Sequence, residues 1–96
     1  MKLEFHPDAL AEFEAAADFY HLRQPGLELR FLDPVDRCTS SIKAAPQRFR
    51  KFDGEIRRAL VSVFPYAVLF SVSPDRIFVL AVMHCNREPG YWKGRT

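Results

Sequence analysis

The apolar residues of this chain change their spacing once, between Pro46 and Glu55, and that change restricts the fold more than any other feature. Before it they recur every three or four residues, as one face of a helix requires; after it they come in short runs of Val, Ile, Leu and Phe. Leu10, Phe13, Ala17 and Tyr20 form a first stripe with Ala9 and Ala16 beside it, while Glu12, Glu14 and Asp18 lie mostly away from it. Pro7 suits the first turn of that helix, Asp8 complements its dipole, and Pro25-Gly26 ends it. Leu27, Phe31, Val35, Cys38 and Ile42 form a second stripe that stops at Ala45, because Pro46 follows. The two helices make a hairpin. Pro34 falls inside the second, where an interior proline costs on the order of 3 kcal/mol. A kink or a restart is therefore expected there, with Asp33 as the new cap and Pro34 in its first turn.

The remaining segments read as strands and turns. Lys2 to His6 alternate, with Leu3 and Phe5 on the buried side. Pro46 to Glu55 is polar, basic and broken by Asp53-Gly54, which predicts a connecting loop. Ile56 to Phe64, Tyr66 to Val72 and Arg76 to His84 predict three strands, with turns at Pro65 and at Ser73-Pro74-Asp75-Arg76. Connections this short join antiparallel neighbours, so the three form a meander. The expected class is α+β: an N-terminal strand, a helical hairpin, then a three-stranded antiparallel meander, all in one domain over residues 1–96.

The last two strands are apolar on both sides. Tyr66, Val68, Phe70 and Val72 oppose Ala67 and Leu69; Phe78, Leu80 and Val82 oppose Ile77, Val79, Ala81 and Met83. Two helices cover one face. The other needs the C-terminal segment with Tyr91 and Trp92, or a second chain, because large apolar patches are rare on monomers. The expectation drawn is a hydrophobic groove filled by a partner.

Composition excludes several classes of function. No segment approaches the roughly 20 apolar residues of a membrane span, and Glu4 and Asp8 interrupt the start where a secretory leader would be apolar. Two cysteines, Cys38 and Cys85, without CxxC spacing, read as free thiols in a reducing, cytoplasmic compartment. His84 and Cys85 are adjacent on a strand and point apart, and His6, His21 and Cys38 lack ligand spacing, so neither metal nor cofactor is expected. Charge is uneven. Residues 1–22 carry one Lys against five acids, whereas residues 37–58 carry seven basic residues against Asp53 and Glu55. A basic middle fits either an anionic partner or a solvated surface.

Several stretches carry a family resemblance: Phe5-His6-Pro7-Asp8-Ala9, Arg30-Phe31-Leu32, Pro46-Gln47-Arg48-Phe49, Ile56-Arg57-Arg58-Ala59-Leu60, Phe64-Pro65-Tyr66, and Val79 to His84 followed by Arg87-Glu88-Pro89-Gly90-Tyr91-Trp92. In this order the chain resembles the RelE/ParE toxin superfamily, on its ParE side, over almost its whole length. Pro34 departs from that family's usually continuous second helix. The resemblance implies a toxin of a type II toxin-antitoxin system, neutralised by a cognate antitoxin whose tail folds on the toxin surface. An acidic tail would pair with Arg48, Arg57 or Arg58, with Tyr91 and Trp92 also at the partner's surface.

ParE-like members poison DNA gyrase by binding; RelE-like members cut mRNA on the ribosome; a third possibility is an inactive member that only accompanies its antitoxin. Metal-free RNA cleavage needs a base, a cation for the phosphate and an acid. The residues to fill those roles are Arg58, His84, Arg87 and Tyr91. Each has a structural reading beside it: His84 packed on its strand with Phe78, Leu80 and Val82, Arg58 paired with a carboxylate, Tyr91 and Trp92 covering the sheet. Arg57 and Arg58 point to opposite faces, and the sequence leaves open which one meets the groove. With no clear acid-base set, the gyrase reading is preferred.

Overall fold

The computed structural model describes residues 1–95. Strand β1 (Lys2–Phe5) leads into helices α1 (Pro7–Arg23) and α2 (Leu27–Ala44), then a 3₁₀ turn (Pro46–Arg48) and strands β2 (Lys51–Asp53), β3 (Ile56–Leu60), β4 (Tyr66–Val72) and β5 (Arg76–His84). All five strands join one sheet in the order β1-β5-β4-β3-β2. The meander β3-β4-β5 is antiparallel as expected, and β1 lies parallel to β5, with Leu3 opposite Ile77 and Phe5 opposite Val79. The class is α+β. The expected loop over residues 46–55 contains the 3₁₀ turn and the short edge strand β2, and β3 stops at Leu60, ahead of the expected Phe64.

Local chemistry explains the helix ends. His6 caps α1, its Nδ1 accepting the Asp8 N–H at 3.0 Å, and Gln24 closes it by donating to the Tyr20 carbonyl. Gly26 adopts φ 96° ahead of α2 and donates its N–H to the Glu28 carboxylate at 2.8 Å. That carboxylate also meets His21 Nδ1 at 2.8 Å, which ties the hairpin across its turn. Helix α2 runs through Pro34 without the expected restart, and Asp33 does not cap it but pairs with Arg37 at 3.1 Å. The physical reason is burial: Phe31, Pro34, Val35, Cys38 and Ile42 are all buried along α2. Sealing that stripe outweighs one lost backbone hydrogen bond.

One core lies between the helices and the sheet. Phe31 and Ile42 are fully buried there with Val68, Phe70, Ile77 and Val79, and Phe31 sits edge-on to Phe64 and Tyr66 at 5.2 Å. Strand β5 does not alternate without interruption, contrary to expectation. Leu69 pairs with Ala81 but Phe70 pairs with Val79, which leaves Leu80 as the extra residue of a β-bulge. Beyond it the faces exchange. Ile77, Val79 and Val82 belong to the helix-side core, while Leu80, Ala81 and Met83 belong to the other side. His84 therefore shares a face with Val82 and not with Phe78 or Leu80.

The second face of the sheet is not the open groove expected from the sequence. Ala67, Leu69 and Ala81 are fully buried, and Leu80, Met83 and Trp92 nearly so, in a cluster flanked by Ile56, Phe78 and Tyr91. The chain's own residues 85–95 seal this side, with Trp92 as the cover. Of the two coverings considered, the tail is the one that occurs.

Candidate functional site

Two regions carry the chemistry. The first surrounds the bulge, where β1 has ended and β5 would present unpaired backbone groups. Val79 is still served, its carbonyl accepting from His6 N–H at 2.8 Å. Over the next three residues Glu12 and Arg95 take over: Arg95 donates to the Leu80 carbonyl at 3.0 Å, and Val82 N–H donates to Glu12 at 3.0 Å. Arg95 also donates to both Glu12 oxygens, at 3.0 and 3.1 Å. Neither residue was expected to matter. The signal for Glu12 was present, since it lies three residues after Ala9 and four before Ala16 on the face that α1 buries. Leu10, placed on that stripe from its spacing, is instead 45% exposed.

Against this pair lies a cleft of about 260 Å³ lined by Glu12, Tyr66, Val82, His84, Arg87 and Tyr91. Three of the four residues proposed for proton and phosphate chemistry, His84, Arg87 and Tyr91, thus share one site. Arg58 lies in an adjoining cleft of about 280 Å³, over the Phe52 ring at 4.7 Å, and only Arg87 borders both. The groups are largely engaged. His84 stacks edge-on to Tyr66 at 5.2 Å, and its Nδ1 accepts the Asn86 N–H at 3.0 Å, so the neutral ring carries its proton on Nε2 and offers a donor there, not a base. The Tyr91 hydroxyl is buried beside Glu12, and burial first, then that carboxylate, hold it far above the ordinary phenol range. Arg87 lies over the Tyr91 ring at 3.9 Å and pairs with Glu88.

The remaining residues separate. Arg57 faces the helices, where it donates to the Phe49 carbonyl at 2.7 Å and to Gln47 through backbone and side chain, so it holds the 3₁₀ turn to β3. Arg58 is therefore the one of the pair on the second face. Arg48 stands elsewhere, near α2, 6.0 Å from the Phe49 ring. Trp92 is buried in the second core.

The second region is a groove of about 540 Å³ along α2, floored by Phe5, Phe13, Leu32 and Val35 and edged by Leu29, Asp33 and Asp36. Leu29 is 64% exposed. Strand β1, which supplies Phe5, is an edge of the sheet. An apolar surface open to solvent thus lies along α2, whereas the sheet's second face is closed.

Among the described residues no three His, Cys, Asp or Glu gather as a metal site requires, and no helix is long and apolar enough to cross a membrane. The thiols differ sharply: burial pushes Cys38 up to about 11, whereas Cys85 is exposed. In the folded protein at neutral pH, an aromatic disulfide reagent is expected to titrate one thiol rapidly, Cys85, and the second only after denaturant is added. Two fast thiols would contradict the buried position of Cys38.

The description "ParE toxin of type II toxin-antitoxin system, parDE" matches residues 3–89, a span that ends before Tyr91, Trp92 and Arg95. No curated protein matches the chain by sequence. In three dimensions it is similar to a chain from the "Chromosomal ParDE TA system from P. aeruginosa", with a TM-score of 0.78, 17% identity, and coverage of 88% of this chain and 95% of that one. With a match over nearly its full length, the chain belongs to the ParE toxin family of type II toxin-antitoxin systems.

Proposed function

We propose that this toxin is held inactive by a cognate antitoxin segment folded into the α2 groove, and that when free it inhibits DNA gyrase by binding, in the cytoplasm, without covalent chemistry of its own. The observation that carries the second part is the state of the proton-transfer groups at the bulge. Both Glu12 oxygens are taken by Arg95, His84 offers a donor, and Tyr91 resists ionisation, so no base is free to activate a 2′-hydroxyl. The groove supports the first part. Its apolar floor suits an amphipathic segment, and Asp33 and Asp36 at its edge favour basic flanks on that segment. This differs from an acidic tail meeting Arg57, whose donors are already directed at Gln47 and Phe49.

The deciding experiment is a supercoiling and DNA-cleavage assay with purified gyrase, run beside mRNA cleavage on programmed ribosomes. Inhibition of gyrase that the antitoxin reverses is the expected result. Activity on ribosomes alone would overturn it in favour of the endonuclease reading, for which the shared cleft of His84, Arg87 and Tyr91 speaks. In that case His84→Ala and Tyr91→Phe should each abolish cleavage and leave antitoxin binding intact. Expression without growth arrest would identify an inactive member.

A further inference from the structure

The β3–β4 connection holds apolar side chains in solvent where the fold has no need of them. Val63 is 92% exposed and sits at φ 72°, a left-handed conformation that a β-branched residue resists. Leu60, three residues earlier, is 64% exposed. The segment is not loose: its next residue, Phe64, is fixed edge-on against Tyr20 at 5.0 Å and Phe31 at 5.2 Å. An outlier that is firmly held yet buries nothing is the kind of strain that persists where a surface is used.

Beside the tip lie two clefts that share Pro34 and Arg37. One, of about 610 Å³, has Leu27, Val63 and Phe64 as its apolar wall and Arg30 at its edge. The other, of about 250 Å³, is lined by Leu60 and Phe49 with Arg48 at its edge. Three arginines thus frame the tip against one carboxylate, Asp33, which Arg37 holds at 3.1 Å; neither Arg30 nor Arg48 has an ion pair among the described residues. On α2 this patch is carried by Arg30 and Arg37 and the groove given to the antitoxin by Leu29, Leu32 and Asp36, and the two meet at Asp33, which borders both. At 3.6 residues per turn those sets flank the buried stripe on opposite sides.

We propose that the Leu60–Val63 tip with Arg30, Arg37 and Arg48 is a second interaction surface, one that takes an acidic protein partner. The partner's carboxylates meet the arginines, and an apolar side chain enters the cleft of Leu27 and Phe64. A nucleic-acid backbone would use the arginines but leave Val63 and Leu60 in water, and so fits the patch less well. On the toxin reading above, on which this inference rests, the partner is the protein target, and its surface adjoins that of the antitoxin along α2 at Asp33.

The test uses Val63→Gly, since glycine is at ease at positive φ and the variant keeps its fold, and the charge reversal Arg30→Glu/Arg48→Glu, which leaves the Arg37–Asp33 pair in place. Purified gyrase is the probe, with antitoxin affinity and thermal midpoint measured in parallel. Each variant is expected to need about tenfold more protein for half-inhibition of supercoiling, with antitoxin affinity unchanged. Wild-type potency in both variants overturns the proposal. So does loss of antitoxin binding, which would assign the patch to the antitoxin, and so does weakening by the charge reversal alone, which would point to nucleic acid. A wild-type protein inert on gyrase is a different failure: it removes the gyrase reading itself and this proposal with it.

Discussion

Replacing Trp92 by alanine is expected to destabilise the protein by about 3–5 kcal/mol and to make it bind hydrophobic dyes. The indole is 4% exposed and is the largest side chain over a bed of small and medium ones, Ala67, Leu69, Leu80, Ala81 and Met83, which Ile56, Phe78 and Tyr91 flank. Truncation uncovers much of that bed at once. A domain of this size has a total stability of roughly 5–15 kcal/mol, so most of the margin is at stake, and the melting temperature should fall by roughly 4–8 °C for each kcal/mol. Urea denaturation and dye fluorescence measure the two effects. Trp92→Phe is the control. The indole Nε1 is buried without an acceptor, so phenylalanine forfeits no hydrogen bond and, keeping most of the apolar cover, should cost clearly less than alanine. A Trp92→Ala protein with the wild-type urea midpoint and no dye binding would mean that residues 85–95 are not what closes the sheet.

That cover was named in the sequence as one of two possibilities, and the reason it could not be chosen there is instructive. Period-2 patterning says that both faces of β4 and β5 are apolar, but not who covers the second, because Tyr91 and Trp92 carry no periodic signature in their short segment. The hairpin and the meander were legible for the opposite reason: long stripes at 3.6 spacing and β-branched runs with short turns are local signals. The parallel placement of β1 beside β5 is a pairing between residues more than 70 apart, which local spacing does not encode. Strand β2 escaped because Lys51-Phe52-Asp53 is short and exposed throughout. The bulge at Leu80 escaped because a strand apolar on both sides has no alternation to break. At the site, three of the four residues named together, His84, Arg87 and Tyr91, line one cleft and Arg58 does not, whereas Arg57 and Arg58 could be separated only by knowing which face the helices cover. Glu12 was read as solvent-facing since carboxylates usually are, although its spacing from Ala9 and Ala16 placed it inward.

The second large effect concerns that carboxylate. Glu12→Ala is expected to cost about 1.5–3 kcal/mol, the range for hydrogen bonds to charged groups. Glu12 and Arg95 are each 16% exposed and meet through two parallel hydrogen bonds, so water screens the pair only in part. They also do what a neighbouring strand would do for β5 past the end of β1, accepting from Val82 and donating to Leu80. Without the carboxylate, the Val82 N–H and the Arg95 guanidinium lose their partner together, and Arg95 keeps only the Leu80 carbonyl, the Tyr91 ring and a distant Asp8. Glu12→Gln retains an acceptor for Val82 but cannot hold Arg95 as a charge, so an intermediate loss is expected. Tyr91→Phe, by contrast, removes only a buried hydroxyl beside Glu12 and should cost less than either change to that carboxylate. Because Arg95 closes the segment that carries Trp92, the ion pair and the indole act on one unit. A cycle of Glu12→Ala with Arg95→Ala should therefore show a coupling of about 0.5–3 kcal/mol. Strictly additive losses in that cycle would mean that the two side chains act independently and that the indole alone holds the tail in place.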